Sequence, residues 1–271
     1  MYVESTNRQS SMLKNIFKDI GHVTVIYLEY LGKLAILSFK SIFAIRKFHI
    51  FIDQIVDGFI YVGRNSLLLI MVTSAFMGLV LGVQLSSQIG PLTPHWVEGG
   101  VILRLVLLEM GPIITGLILA GRVSSGIASE IGEMKVTEQI DALRTVAIDP
   151  IEYLVMPRLL AGMFAVPMLI VFGDVVSIFF GFFSSNIYMG MTWNEFVKGM
   201  RQAFVPTDIF TSIIKGYIFG IAIILFGCFF GLQAKHGAKG VGKATTHAVI
   251  WSSIVIIILD YIISASLSFL W

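Results

Sequence analysis

Residues 65–97 contain no Asp, Glu, Lys or Arg. About 20 consecutive apolar residues suffice for a helix to cross a bilayer, and no aqueous fold offers a polar face to a run this long. The rest of the chain repeats the pattern. Of its 271 residues, 56% are hydrophobic and 13% charged, against about 25% charged in an ordinary soluble domain. The bilayer is therefore the solvent, and the fold class is an all-α membrane protein with one transmembrane domain.

Five spans are predicted, at about residues 66–86, 101–129, 150–184, 209–233 and 245–269. Arg104, Glu109 and Arg122 lie along the second, Arg158 and Asp174 in the third, and Asp260 in the fifth. The length of the third implies a tilt, a kink at Pro167 or an extension beyond the bilayer. Residues 1–47 form a separate segment. Lys14, Lys18, Lys33, Lys40, Arg46 and Lys47 punctuate its apolar residues, which suits an amphipathic helix on the membrane surface; a short, weakly apolar span is the alternative. Residues 48–271 form the transmembrane domain, and His49–Val62, with Asp53 and Asp57, reads as a short elbow into the first span. Residues 1–20 do not have the pattern of a cleaved signal peptide.

Lys and Arg set the orientation. They are frequent in the N-terminal segment. The second connection has Arg122, Lys135, Arg144 and Arg158, and the fourth has Lys235, Lys239 and Lys243. Residues 87–100 have none, and 186–207 have only Lys198 and Arg201. The expectation is an N-terminus in the cytoplasm and a C-terminus outside.

Residues 120–158 read AGRVSSGIASEIGEMKVTEQIDALRTVAIDPIEYLVMPR. Val136, Ile140, Leu143 and Ala147 share one helical face, so a short amphipathic helix over Met134–Val146 lies between two spans. It is either an ordinary loop helix resting on the membrane or a coupling helix that docks on a partner. Asp149-Pro150-Ile151-Glu152 reads as a helix start, with Asp149 capping, Pro150 in the first turn and Glu152 reaching back.

This stretch, continued through Leu159–Gly162, resembles the signature of the MlaE permease family of lipid ABC transporters. Gly237–Asp260 resembles that family's closing motif, and Glu109-Met110-Gly111-Pro112 also fits. The resemblance runs in order from about residue 50 to 265. It implies a homodimeric permease without catalytic activity, in a cell inner membrane with a periplasmic C-terminus. ATP and magnesium would be bound by a separate cytoplasmic ABC ATPase. An MCE-domain protein would stand on the periplasmic side, and phospholipid would be the cargo. The ATPase-coupling residues implied are Glu130, Glu133, Lys135, Thr137, Glu138, Gln139, Asp141 and Arg144, and the lipid-path residues are Arg104 and Glu109. One departure stands out. Some members carry Arg directly before the acid of Glu-x-Gly-Pro, where this chain has Leu108; Arg104, one turn earlier, is the available substitute.

Acids at bilayer depth are costly, by about 2.5–3.5 kcal/mol on insertion scales. Glu109, Asp174 and Asp260 therefore mark either a polar route through the membrane or pairing between helices, for example of Glu109 with Arg104. Asp174 and Asp260 as proton carriers would make the chain a secondary transporter, the rival reading. The glycine pairs Gly78/Gly82, Gly216/Gly220 and Gly227/Gly231 permit close helix approach without identifying a dimer face. Gly237–Ala244 nearly spells a phosphate-binding loop, but Ala244 stands where Ser or Thr would hold magnesium. Cys228 lies in an apolar run and reads as a small buried residue. Five scattered histidines have no metal-binding spacing, and no basic patch interleaved with aromatics suggests nucleic-acid binding.

Overall fold

The computed structural model describes residues 25, 28–30, 32–88, 94–235 and 237–268. The part of the expected surface helix before residue 25 lies outside them. Helix α1 occupies residues 32–44, and a 3-10 turn, Ile45–Ile50, leads to α2, Ile52–Gln88. Then follow α3, Trp96–Val136; α4, Gln139–Thr145; α5, Ile151–Met189; α6, Trp193–Ala203; α7, Pro206–Leu232; and α8, Ala238–Ser268. Five of these, α2, α3, α5, α7 and α8, are long and apolar enough to cross a membrane.

The helices outrun the spans read from hydropathy. The expected elbow at His49–Val62 is replaced by a bend at Phe51, and residues 52–62 already belong to α2. α3 and α5 have 41 and 39 residues, about 60 Å each at 1.5 Å per residue, twice the hydrocarbon thickness of about 30 Å. They project into water, and α5 runs on through Pro167. The helix expected over Met134–Val146 is shorter. Met134–Val136 complete α3, the chain turns at Thr137-Glu138, and only seven residues form α4. Glu138 and Ala147 flank α4 with positive φ, so the amphipathic periodicity breaks at both ends. Ile140 is buried and Leu143 packs against the core, whereas Ala147 is exposed. Asp149 Oδ1 accepts from the Ile151 N–H at 2.9 Å, and Pro150 takes the N-cap position expected of Asp149.

Small residues bring the spans together, since lipid gives apolar side chains no reason to prefer one another. All three glycine pairs are spent inside the chain. Gly78 and Gly82 of α2 lie on Ser177, Gly181 and Ser184 of α5. Gly216 and Gly220 of α7 lie on Pro167 and Gly162 of α5, and Gly227 and Gly231 on Ser124–Ile131 of α3. Between them Ile70, Leu119, Val123, Ile127, Val166, Ile170, Phe219, Ile223 and Cys228 form the main core.

α6 falls where a loop was expected. Thr192 and Glu195 form a capping box, with the Thr192 N–H donating to Glu195 Oε2 at 2.9 Å. Phe196, fully buried, anchors α6 in a second cluster with Ile102, Val106 and Met191. Gly99 and Gly199 let the backbones of α3 and α6 touch.

A methyl group at Gly78 would meet the Ser177 carbonyl, which is backbone and cannot rotate aside. Gly78→Val is expected to lower stability by about 1–3 kcal/mol, the usual cost of overpacking. Thermal unfolding of the detergent-solubilised protein measures it, and an unchanged midpoint would show that α2 and α5 are not in backbone contact.

Candidate functional site

Pro112 sets the local geometry. It has no N–H, so the carbonyl four residues earlier, Leu108, loses the donor an α-helix would give it. The helix widens to a π-turn over Val106–Met110, and a second π-turn follows at Ala120–Ser124. Such turns gather at functional sites. Lys215 Nζ, from α7, donates to the Leu108 carbonyl.

Lys215 is fully buried, and two carboxylates meet it. Glu109 Oε2 lies 3.2 Å from Nζ and Asp260 Oδ1 2.7 Å. The contact with Asp260 is a charge pair without a directed hydrogen bond. Ser264 of α8 donates to Glu109 Oε1 at 2.8 Å. Three helices are thus joined through one ammonium. Lys215 and Asp260 are sealed in, but the Glu109 side chain is 42% exposed. Above it Arg104 Nε pairs with Asp208 Oδ2 at 3.1 Å; Asp208 is buried and Arg104 half exposed. The two pairs are seven residues apart on α7, about 10 Å along the helix. Fixed charges in a membrane span lie against protein or a polar route, and here both partly exposed members, Arg104 and Glu109, belong to α3.

Several expectations change. Glu109 is paired with Lys215 and not with Arg104. Asp260 has the same partner, and Asp174 instead accepts from Ser212 Oγ at 3.0 Å while packing on Gly111. Lys215, Asp208 and Glu98 were not singled out from the sequence. Lys215 is the only charged residue in 209–233, and that isolation is the signal that could have found it, because a cation at bilayer depth needs a partner as much as an acid does. Glu98 is fully buried, its Oε1 accepting from the hydroxyls of Ser86 and Ser185; it ties together the ends of α2, α3 and α5.

The expected coupling residues gather at the opposite end of the spans, around α4. Asp141 binds both Lys135, at 3.5 Å, and Arg144, at 3.1 Å. Thr137 Oγ1 donates to the Glu133 carbonyl at 2.8 Å. Glu130 pairs with Arg158 of α5 at 2.6 Å. Glu133, Glu138 and Gln139 are exposed, and Glu138 has no ion pair among the described residues. Asp141, Lys135 and Arg144 thus hold the turn in shape, and the exposed Glu133, Glu138 and Gln139 are left to face outward.

The sequence signature of Permease MlaE matches residues 55–266. The chain belongs to the MlaE permease family. A probable ABC transporter permease protein of Rickettsia typhi is 35% identical over 93% of this chain and 98% of its own length. The intermembrane phospholipid transport system permease protein MlaE of Haemophilus influenzae is 28% identical over 94% and 98%. The chloroplastic protein Trigalactosyldiacylglycerol 1 of Arabidopsis thaliana is 35% identical over 75% of this chain and 58% of its own. As an MlaE permease the chain is the non-catalytic, multi-pass subunit of an ABC transporter, and ATP hydrolysis belongs to a separate chain. That family replaces the proton-coupled secondary transporter with an ATP-driven one.

Lys215→Met would strand two carboxylates in the membrane. Breaking a buried ion pair from one side typically costs about 3–5 kcal/mol, so the expected outcome is a large loss of folded, membrane-inserted protein. Adding Asp260→Asn should restore part of it. Folded yield in detergent chromatography measures both variants, and a Lys215→Met yield equal to that of the unchanged chain would refute the charge network.

Proposed function

We propose that two copies of this MlaE permease form the membrane core of a transporter moving glycerophospholipid between a cell inner membrane and a periplasmic MCE-domain protein. A cytoplasmic ABC ATPase sits on α4 and supplies the motion. The observation that carries the reading is the half-exposed Glu109 carboxylate within an apolar span, fixed from behind by Lys215 and Ser264. A polar group held open at that depth serves a cargo with a charged headgroup and apolar chains. Arg104, half exposed and one turn away, pairs through Nε with Asp208 and offers its terminal nitrogens to the headgroup phosphate, in place of the arginine that some members carry where Leu108 stands. The name of the Haemophilus relative, an intermembrane phospholipid transport permease, agrees with that cargo.

The orientation follows from charge. Lys135, Arg144 and Arg158 lie between α3 and α5, and Lys235, Lys239 and Lys243 where α7 turns into α8. Both connections are at the α4 end of the spans, which is therefore the cytoplasmic end; the C-terminus is periplasmic.

Purification of the tagged chain from its native host in mild detergent, with mass spectrometry of bound proteins and lipids, tests the assembly. A P-loop ATPase, an MCE-domain protein and bound phospholipid are expected; a homo-oligomer without ATPase, even after crosslinking, would reject the reading. Glu138→Arg adds a sharper test, because no internal pair is lost with it. ATPase recovery should fall severalfold while the permease stays folded, and undiminished recovery would remove Glu138 from the coupling surface. Glu109→Gln should slow phospholipid transfer by the reconstituted transporter, and an unchanged rate would remove it from the lipid path.

A further inference from the structure

Three cations within the spans are matched to carboxylates: Arg104 to Asp208, Lys215 to Glu109 and Asp260, and Arg158 to Glu130. Arg64 of α2 has no such partner among the described residues but is exposed. Arg122 is unmatched although half-buried. It stands in the second π-turn of α3, half-buried, and donates through one guanidinium nitrogen to the Ser66 hydroxyl of α2. Among the described residues it has no carboxylate partner. A neutral hydroxyl steadies one N–H; a guanidinium has five, arranged to grip a phosphate or carboxylate at two points.

Its height is informative. Gly227 of α7 packs on Ser124, two residues beyond Arg122. Gly227 lies 12 residues from Lys215, about 18 Å along the helix, and about 8 Å from the end of α7 at Leu232. From Asp208, the partner of Arg104, it is about 28 Å, close to one hydrocarbon thickness. Arg122 thus stands at the headgroup edge of the leaflet on the α4 side, while Arg104 marks the opposite edge. The surroundings are open on one side. Gly121 is exposed, and nothing lies within 4 Å of where its Cβ would stand. Along α2, the exposed Leu69, Val72 and Phe76 lead from beside Ser66 toward the bilayer centre. An unmatched guanidinium at headgroup height, an open flank and an apolar track beside it are complementary to one molecule that the bilayer itself supplies.

We propose that Arg122, steadied by Ser66, receives the phosphate of a glycerophospholipid in the cytoplasmic leaflet, as a second headgroup station about one hydrocarbon thickness from Arg104. The assignment rests on the phospholipid reading and on the orientation given above. It places a lipid at the entrance or exit of the path on the ATPase side, independent of the Glu109 network.

The test uses the whole transporter in nanodiscs of phosphatidylethanolamine and phosphatidylglycerol, with photoreactive benzoylphenylalanine at Leu69 or, separately, at the exposed Met110 beside Glu109. Crosslinked lipid is read by mass spectrometry. At Leu69 a phospholipid adduct is expected. It should fall about tenfold with Arg122→Gln, the scale of a lost charged hydrogen bond, and fall less with Arg122→Lys, which keeps the charge but not the two-point grip. The Met110 adduct should survive Arg122→Gln, which also shows that the variant is folded. A Leu69 adduct indifferent to Arg122, or one formed with a second copy of the chain in place of lipid, would overturn the proposal. Lipid at Met110 but none at Leu69 would reject the second station alone. No lipid at either position would reject the phospholipid reading itself.

Discussion

An ammonium group buried in a bilayer must be surrounded by acceptors, and Lys215 sets that condition for this structure. Its three partners come from two other helices: the Leu108 carbonyl and Glu109, which accept hydrogen bonds, from α3, and Asp260, which supplies charge, from α8. No pair of these helices can slide without exposing a charge to lipid. The glycine contacts between α7, α5 and α2 extend the same constraint outward. Electrostatics fixes the register of three spans, and close backbone approach fixes the other two against them.

Pro112 makes the arrangement possible. A regular α-helix through residues 106–112 would spend the Leu108 carbonyl on an amide, leaving the ammonium one acceptor fewer. The imino acid releases that carbonyl, and the π-turn accommodates the change in winding. Glu109, in the same turn, stays partly exposed with Oε2 against Lys215 and Oε1 accepting from Ser264. One short stretch, Leu108–Pro112, thus supplies both the carbonyl acceptor for the buried cation and a partly exposed carboxylate.

The five spans were legible in the sequence because bilayer burial demands uniform apolarity over some 20 residues. Their ends were not. Hydropathy measures what lies in hydrocarbon, whereas α3 and α5 continue as helices well into water. The capping box at Thr192 and Glu195 was written in the sequence and signals α6, but its short helix is hidden inside a connection. Among the site residues, Arg104 and Glu109 were readable as charges out of place. Lys215 is equally so, as the single charge in 209–233. The pairing could not be read at all, since it depends on which helix faces which, and π-turns shift those faces by an amount that no fixed period of 3.6 residues captures. Around α4, the spacing announced an amphipathic helix, and the two left-handed residues, Glu138 and Ala147, cut it short in a way that periodicity does not reveal.

The placement of Lys215 and Asp260 on successive helices also bears on how the chain enters the membrane. A single span carrying a lone charge is a poor substrate for insertion, each charge costing about 2.5–3.5 kcal/mol at the centre of a helix. α7 and α8 are joined by a short connection, and their opposite charges meet at one depth, 2.7 Å apart. Entering together as a hairpin, they present the lipid with a neutralised pair. Glu109 on α3, already synthesised, then completes the shell around the ammonium. The cost that either span would carry alone is offset within the pair.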